Sequence, residues 1–241
     1  MTGINHTSPG HRLNRFPADL PQGALPEGTK GRILTSALVA FADRGFYGTS
    51  IRTIAEGAGI NSATLYSHYP SKENILAVLV TMGSRELLGT IEGALAGAST
   101  STNRLDAIIH STALAHATYP LLAVVTNSEF HALSPELALP AQAPTKQSAA
   151  LLRSILAEGE ADGSFDLADP DASAHALESM VQQIPAWISR ASDQPESIAD
   201  AYVVIARRIV GAPSTPRTGR RTSTVASDNV RSHQPDPQHL P

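Results

Sequence analysis

The 241-residue sequence predicts an all-α fold, and three observations carry that prediction. Apolar residues recur at helical spacing through the whole middle of the chain. No stretch alternates apolar and polar residues as a half-buried strand would. Glycines, prolines and short polar capping residues stand where the periodic segments begin and end. Alanine is abundant, which favours helix and permits close helix crossings.

The elements follow in order. Residues 1–27 hold repeated prolines and glycines without an apolar period and read as a mostly disordered arm. Over 28–44, Ile33, Leu34, Ala37, Leu38, Phe41 and Ala42 make one apolar stripe, and Gly45 takes the place of a left-handed C-cap. Thr49 or Ser50 can cap a short helix over 51–58, which Gly59 breaks. Asn61 can cap another over 62–69, ended by Pro70 and Ser71. A long helix starts at Lys72 and runs to about residue 96 on Ile75, Leu79, Met82, Leu87, Leu88, Ile91 and Leu95. Further helices are expected over 103–117, as a short pair over 120–133 closed by Ser134-Pro135, and around 151 to Gly159 or Gly163. Asp169 caps a helix from Pro170 to about residue 191, and a last one covers 195–210. Residues 212–241 hold five prolines and the cluster Arg217, Arg220 and Arg221. They read as a solvated tail, or as an arm that grips phosphates. The expected division is an arm (1–27), a three-helix head (28–72), a larger helical domain (73–211) and a tail (212–241).

Composition narrows the function classes. Zero cysteines exclude a disulfide framework, a thiolate nucleophile and a cysteine-ligated metal, and fit a reducing cytosol. No HExxH spacing exists, and His110 and His116, six positions apart, face different ways on a helix, so no metal or other cofactor is expected. No apolar run approaches the roughly 20 residues of a membrane span, and the N-terminus lacks a signal-peptide centre. A cytoplasmic protein without a membrane partner is the expectation. The net charge is −4, but it is unevenly spread. Residues 28–72 hold five basic and two acidic side chains, or +3, whereas 136–200 hold three basic and eleven acidic, or −8. Screening over about 10 Å lets a basic head meet phosphate despite the acidic remainder.

The informative stretch runs from Ile51 to Tyr69 as short helix, Gly59 turn, short helix. Ile54, Ala55 and Ala58 give the first helix an inner face, and Ile60 and Leu65 pin the second against it. Ser62, Ala63, Thr64, Tyr66, Ser67 and His68 then point outward as mostly short, uncharged side chains able to approach base edges. The sequence Gly45-Phe46-Tyr47-Gly48-Thr49-Ser50-Ile51, with Ile54-Ala55, Ala58-Gly59-Ile60, Thr64-Leu65-Tyr66-Ser67-His68-Tyr69 and Ser71-Lys72-Glu73, resembles the TetR family of bacterial regulators. The likeness covers about residues 29–80.

That resemblance implies a sequence-specific regulator that binds a double-stranded DNA operator as a homodimer and is released as a repressor by a small, largely apolar effector. Thr49 or Ser50 would meet phosphate, Arg52 would reach a guanine, Ser62, Ala63, Thr64 and Ser67 would lie along the bases, and Tyr66, His68 and Lys72 would hold the backbone. The later helices would form a ligand-binding and dimerisation domain. Candidate lining residues are His110, Leu114, Tyr119, Phe130, His131, Met180, Ile184 and Trp187. Segments around 147–156 and 174–188 would make the dimer interface. A looser likeness, through Glu129, Leu133-Ser134-Pro135-Glu136, Phe165 and Trp187, points to regulators of acyl-CoA or related lipid ligands, although arginines are few there. An enzyme is not expected, for no nucleophile–base pair, phosphate loop or paired-carboxylate motif is present. A DNA-binding protein without an effector is the alternative if the later helices enclose no cavity.

Overall fold

The computed structural model describes residues 16–21, 23–188 and 194–212, which are helical with no strand among them. The expected tail beyond residue 212 and most of the arm lie outside the described residues. Residues 16–21 correct the arm as expected from sequence: Phe16, Ala18 and Leu20 pack against the apolar core around α1 and Pro21 is buried.

Helix α1 (Thr29–Gly48) buries the predicted stripe. It continues past the expected stop because Gly45, at φ 70 and ψ 171, kinks the chain without ending it. Its φ is positive as expected, but its ψ lies outside the left-handed helical well, so one more turn follows. Helices α2 (Ile51–Gly57) and α3 (Ser62–His68) are separated by a turn at Gly59. Ser50 caps α2 through the Thr53 N–H, and Asn61 caps α3 through the Thr64 N–H. Helix α4 (Lys72–Leu95) begins at a Ser71 cap. Helices α5 (Ser101–Thr118) and α6 (Pro120–Ser128) meet at 106°, and a 3-10 turn (Phe130–Ala132) leads to α7.

Helix α7 (Pro135–Ala161) begins directly after the expected break at Ser134-Pro135, and so overturns the sequence reading that helix starts only near residue 151. Pro135 occupies the first turn, where no N–H is needed. Pro140 and Pro144 sit inside the helix, each removing a backbone bond at about 3 kcal/mol. Packing along α4, with Ala138, Ala141 and Pro144 buried, outweighs that cost. Helix α8 (Pro170–Gln182) starts at the predicted Asp169 cap but stops short of residue 191. Pro185 lacks the N–H that would continue it, so only a single turn, α9 (Ile184–Trp187), follows. Helix α10 (Pro195–Ile209) lies along α5, where Arg207 forks onto Asp106.

Two apolar clusters organise the molecule. One joins α1, α2 and α3 to Ile75, Leu76, Leu79 and Val80 of α4, Leu121, Leu122 and Val125 of α6, and Ala141 of α7. The other gathers Ile91, α5, the C-terminal half of α7, α8 and α10. The boundary expected at residue 72 therefore falls inside one packed cluster. Among the described residues, α4 alone is a single straight helix with the length and mean hydropathy of a membrane span, and it is packed against α5, α6, α7 and α1.

Candidate DNA-binding head and effector cavity

Helix α2 is seated on α1 from below. Arg32 Nε donates to the Ala58 carbonyl at 3.2 Å and Ser36 Oγ to the Ile54 carbonyl at 2.9 Å, so α1 takes up two carbonyls at the end of α2. Buried Ile54, Ala55 and Leu65 fix α3 across α2. On the outer side, Ser50, Arg52, Ala63, Tyr66 and Ser67 are exposed, and Ser62, Thr64 and His68 are half-buried. Arg52 pairs with Glu56 at 2.7 Å, with both side chains largely in solvent. That i, i+4 pair raises the guanidinium pKa and contributes little to stability at such exposure.

Two expected phosphate contacts are placed elsewhere. Thr49 is 2% exposed, and its hydroxyl sits 3.0 Å from the Ala40 carbonyl and 2.8 Å from that of Gly45. Its side chain is spent on the α1 kink and has no access to DNA. Lys72 Nζ donates to the Phe46 carbonyl at 2.6 Å and the Thr49 carbonyl at 2.7 Å, and lies 4.2 Å from the centre of the Phe46 ring. Desolvation lowers its pKa. The ammonium thus closes the end of α1 and sets the start of α2, a positioning task that the sequence did not disclose.

The head is tied to the next helices by two carboxylates. Glu129, at the end of α6, accepts from the Phe46 N–H at 2.9 Å. Glu73, in the first turn of α4, accepts from the Ser134 N–H at 2.6 Å, which lowers its pKa. The short linker 129–134 is therefore anchored at one end to the head and at the other to the first turn of α4.

A cavity of about 350 Å³ lies among α4, α5, α6, α7 and α8. Apolar Leu87, Ile91, Ile108, Ile109, Leu152 and Val181 share its wall with His116, Thr126, Thr145, Ser148 and Glu178. A second space of about 260 Å³ adjoins it, with Leu87, His116, Thr126 and Asn127 common to both and Pro21 at its edge. A larger trough of about 740 Å³ along α1, edged by Glu27, Arg32, Asp43 and Arg44, is open and charged.

His116 is 5% exposed, and its Nδ1 lies 2.9 Å from the Val181 carbonyl, which the imide nitrogen of Pro185 cannot bond. A carbonyl only accepts, so Nδ1 carries the proton. Burial lowers the His116 pKa from 6.5, and the Val181 bond only partly opposes this. The unfolded chain thus binds the proton more readily than the folded one. The His116 contribution is complete above about pH 6.5 and is lost as pH falls, by up to about 1.4 kcal/mol per pH unit. Thermal melts from pH 7 to 5.5 should show this slope, and His116→Gln should flatten it; equal slopes in the two proteins would refute it.

Comparison with known proteins assigns the family. The profile described as "Bacterial regulatory proteins, tetR family" matches residues 33–79, and that described as "Tetracyclin repressor-like, C-terminal domain" matches residues 98–210. The HTH-type transcriptional repressor KstR2 of Mycolicibacterium smegmatis is 30% identical over 142 residues, covering 58% of this chain and 69% of the relative. The chain belongs to the TetR family. KstR2 of Rhodococcus jostii is 29% identical over 150 residues, covering 62% of this chain and 72% of the relative. A bacterial regulatory protein in the tetR family from Rhodococcus RHA1 superposes with a TM-score of 0.71 at 26% identity, over 78% of this chain and all of that one. AibR in complex with isovaleryl coenzyme A and operator DNA has a TM-score of 0.66 at 22% identity, over 75% of this chain and 97% of that one, a likeness of fold.

The chain is thus a DNA-binding transcriptional regulator of the TetR family and not an enzyme. Within it, the expected ligand-lining set is largely displaced. Phe130 lines the main cavity and Tyr119 the adjoining space. His110 faces α10, with Nε2 3.5 Å from Asp200 and 3.7 Å from Glu196. His131 is exposed, Leu114 and Met180 pack at the edge of the second cluster, and Ile184 is filled core. Trp187 stacks outside on Tyr202, with ring centres 6.2 Å apart. Sequence reasoning favoured large aromatic residues and passed over the small polar ones, Thr126, Thr145 and Ser148, and Glu178. The available signal was the pair Thr145 and Ser148, spaced i, i+3 on one side of α7.

Proposed function

We propose that this TetR-family regulator is a homodimeric repressor that holds an operator through α2 and α3 and lets go when a small, largely apolar molecule occupies the cavity. One observation carries this reading. The linker 129–134 lines the cavity through Phe130, grips the head at Phe46 through Glu129, and holds the first turn of α4, next to the head, through Ser134. A ligand that favours another position of the linker would then shift the population of head orientations, provided its affinity differs between the two states. The likeness to KstR2 repressors supports repression.

Arg52, Ser62, Ala63, Thr64 and Ser67 read bases, and Ser50, Tyr66 and His68 hold the backbone. Arg52 must leave Glu56 to do so. Glu56→Gln should therefore raise operator affinity, while Arg52→Ala should cost about 1–3 kcal/mol on the operator and much less on random DNA. Equal losses on both DNAs in a mobility-shift titration would remove Arg52 from the readers. Of the two segments expected at the dimer face, 147–156 and 174–188, we favour the end of the second together with α10, where Trp187, Val204, Ile205 and Ile209 are exposed.

Selecting genomic fragments bound by the protein, then footprinting them with and without fractionated cell extract, tests the whole reading. Release by a small-molecule fraction supports it, and a footprint unmoved by every fraction would overturn the effector. A coenzyme A thioester is the second reading, favoured by the AibR likeness. Against it, none of the described residues lining the cavity is Lys or Arg.

A further inference from the structure

We infer that residues 16–21 are the cover of the effector's entrance, a strap of the chain's own that an incoming apolar ligand must lift. This rests on the cavity being the effector site. Phe16, Ala18 and Leu20 are half-buried against the first apolar cluster, while Pro17 and Asp19 between them are exposed. The segment thus lies flat, with alternate side chains turned onto the helices. Its end, Pro21, is buried and forms part of the wall of the space of about 260 Å³ that adjoins the main cavity. Leu87, His116, Thr126 and Asn127 wall both spaces, whereas Pro21 lines only the adjoining one. Exposed Glu86 and Thr90 of α4 line it too, so this space reaches the surface beside the strap.

Two features suit this segment to a cover. Pro21 can be buried at the mouth without leaving a polar backbone group unpaired, for it has no N–H and its carbonyl accepts from the Ala24 N–H at 3.1 Å. Among the described residues, no hydrogen bond or ion pair joins 16–21 to a helix, so apolar contact alone holds the strap down. A segment held in that way opens at a lower free energy than the helices beneath it. An apolar ligand entering the space offers the helices the same kind of surface and competes with the strap for it. The main cavity also reaches the surface beside exposed Thr145 and Gln182, both polar; the apolar cover belongs to the adjoining space alone. The strap then helps to set how much effector releases the operator, because only the uncovered fraction of the protein admits ligand.

The test follows N-phenyl-1-naphthylamine, a neutral apolar fluorophore, into the full-length protein by stopped-flow fluorescence. Leu20→Asp puts a charge under the strap, and association should quicken at least about tenfold, since no opening step then precedes entry. Asp19→Lys, on the exposed side, should keep the parent rate and so separates lifting of the strap from a change of charge. The chain has no cysteine, so Ala18→Cys supplies the sole thiol. Saturating probe should speed its reaction with an aromatic disulfide reagent about fivefold or more, while a thiol at Ala206→Cys, buried in α10, keeps its rate. Equal association rates in the parent and Leu20→Asp, or a thiol at 18 indifferent to the probe, would overturn the cover and leave the cavity standing as the effector site. A probe that enters neither protein overturns the cover as well, because an uncovered space would admit it. The effector site is judged separately. Operator release by cell extract that survives Ala149→Trp, which fills the main cavity, would overturn that reading and the cover with it.

Discussion

Lys72→Met is expected to lower stability by about 2–3 kcal/mol and to weaken operator binding strongly, while leaving the salt dependence of binding close to that of the parent. Two carbonyls, those of Phe46 and Thr49, lose a charged donor, and the Phe46 ring loses the cation near its face. The start of α2 then loses its anchor, and with it the placing of Ser50 and Arg52. A phosphate-contacting lysine would behave differently. Its removal would flatten the plot of log affinity against log salt by about 0.9. Mobility-shift titrations at several salt concentrations, paired with urea melts, separate the two roles. A flattened slope with unchanged stability would return Lys72 to the DNA contacts.

Glu129→Ala should be the second most consequential change, and its main effect falls on communication. The carboxylate ties the Phe46 N–H to the end of α6, one residue before Phe130 enters the cavity wall. Lys72 holds the carbonyl of the same Phe46, so a single peptide-flanked residue is gripped from both sides. Without Glu129, the amide at 46 is left unpaired, at a cost of about 1–3 kcal/mol. Amide hydrogen exchange at 46–50 should accelerate, while exchange in α8 and α10 stays as it was. Glu129→Gln, which keeps an acceptor oxygen, should recover part of the protection. Uniform acceleration over the whole molecule would show a general loss of stability and no local latch.

Much of the fold was legible because its signals are local. The Ser50, Asn61, Ser71 and Asp169 caps each hold the N–H three residues on, as the sequence leads one to expect. The helix-turn-helix was legible for the same reason, since its inner face and its Gly59 turn lie within nineteen consecutive residues. Misreadings arose where partners are distant. The start of α7 was missed because residues 136–150 carry Pro140 and Pro144 and no clear apolar period, and packing against α4 holds them helical. The burial of Thr49 depends on Ala40 and the Gly45 kink, and the burden on Lys72 depends on residues more than twenty positions away. The cavity was least legible of all. Its wall draws on five helices, and an apolar stripe reads alike whether it faces a void or a neighbour.

Helix α4 contributes Ile75, Leu76, Leu79 and Val80 to one apolar cluster and Ile91 to the other. A rod shared in this way makes the folding of the two ends one event. Cutting the chain after residue 72 would strip the head of those four side chains and of the α6 residues that complete its core. The isolated piece should be unstructured, while the intact chain should melt in a single transition, with calorimetric and van't Hoff enthalpies in agreement. The recognition surface of this regulator is thus only as stable as the chamber beside it, and damage to either should erase both.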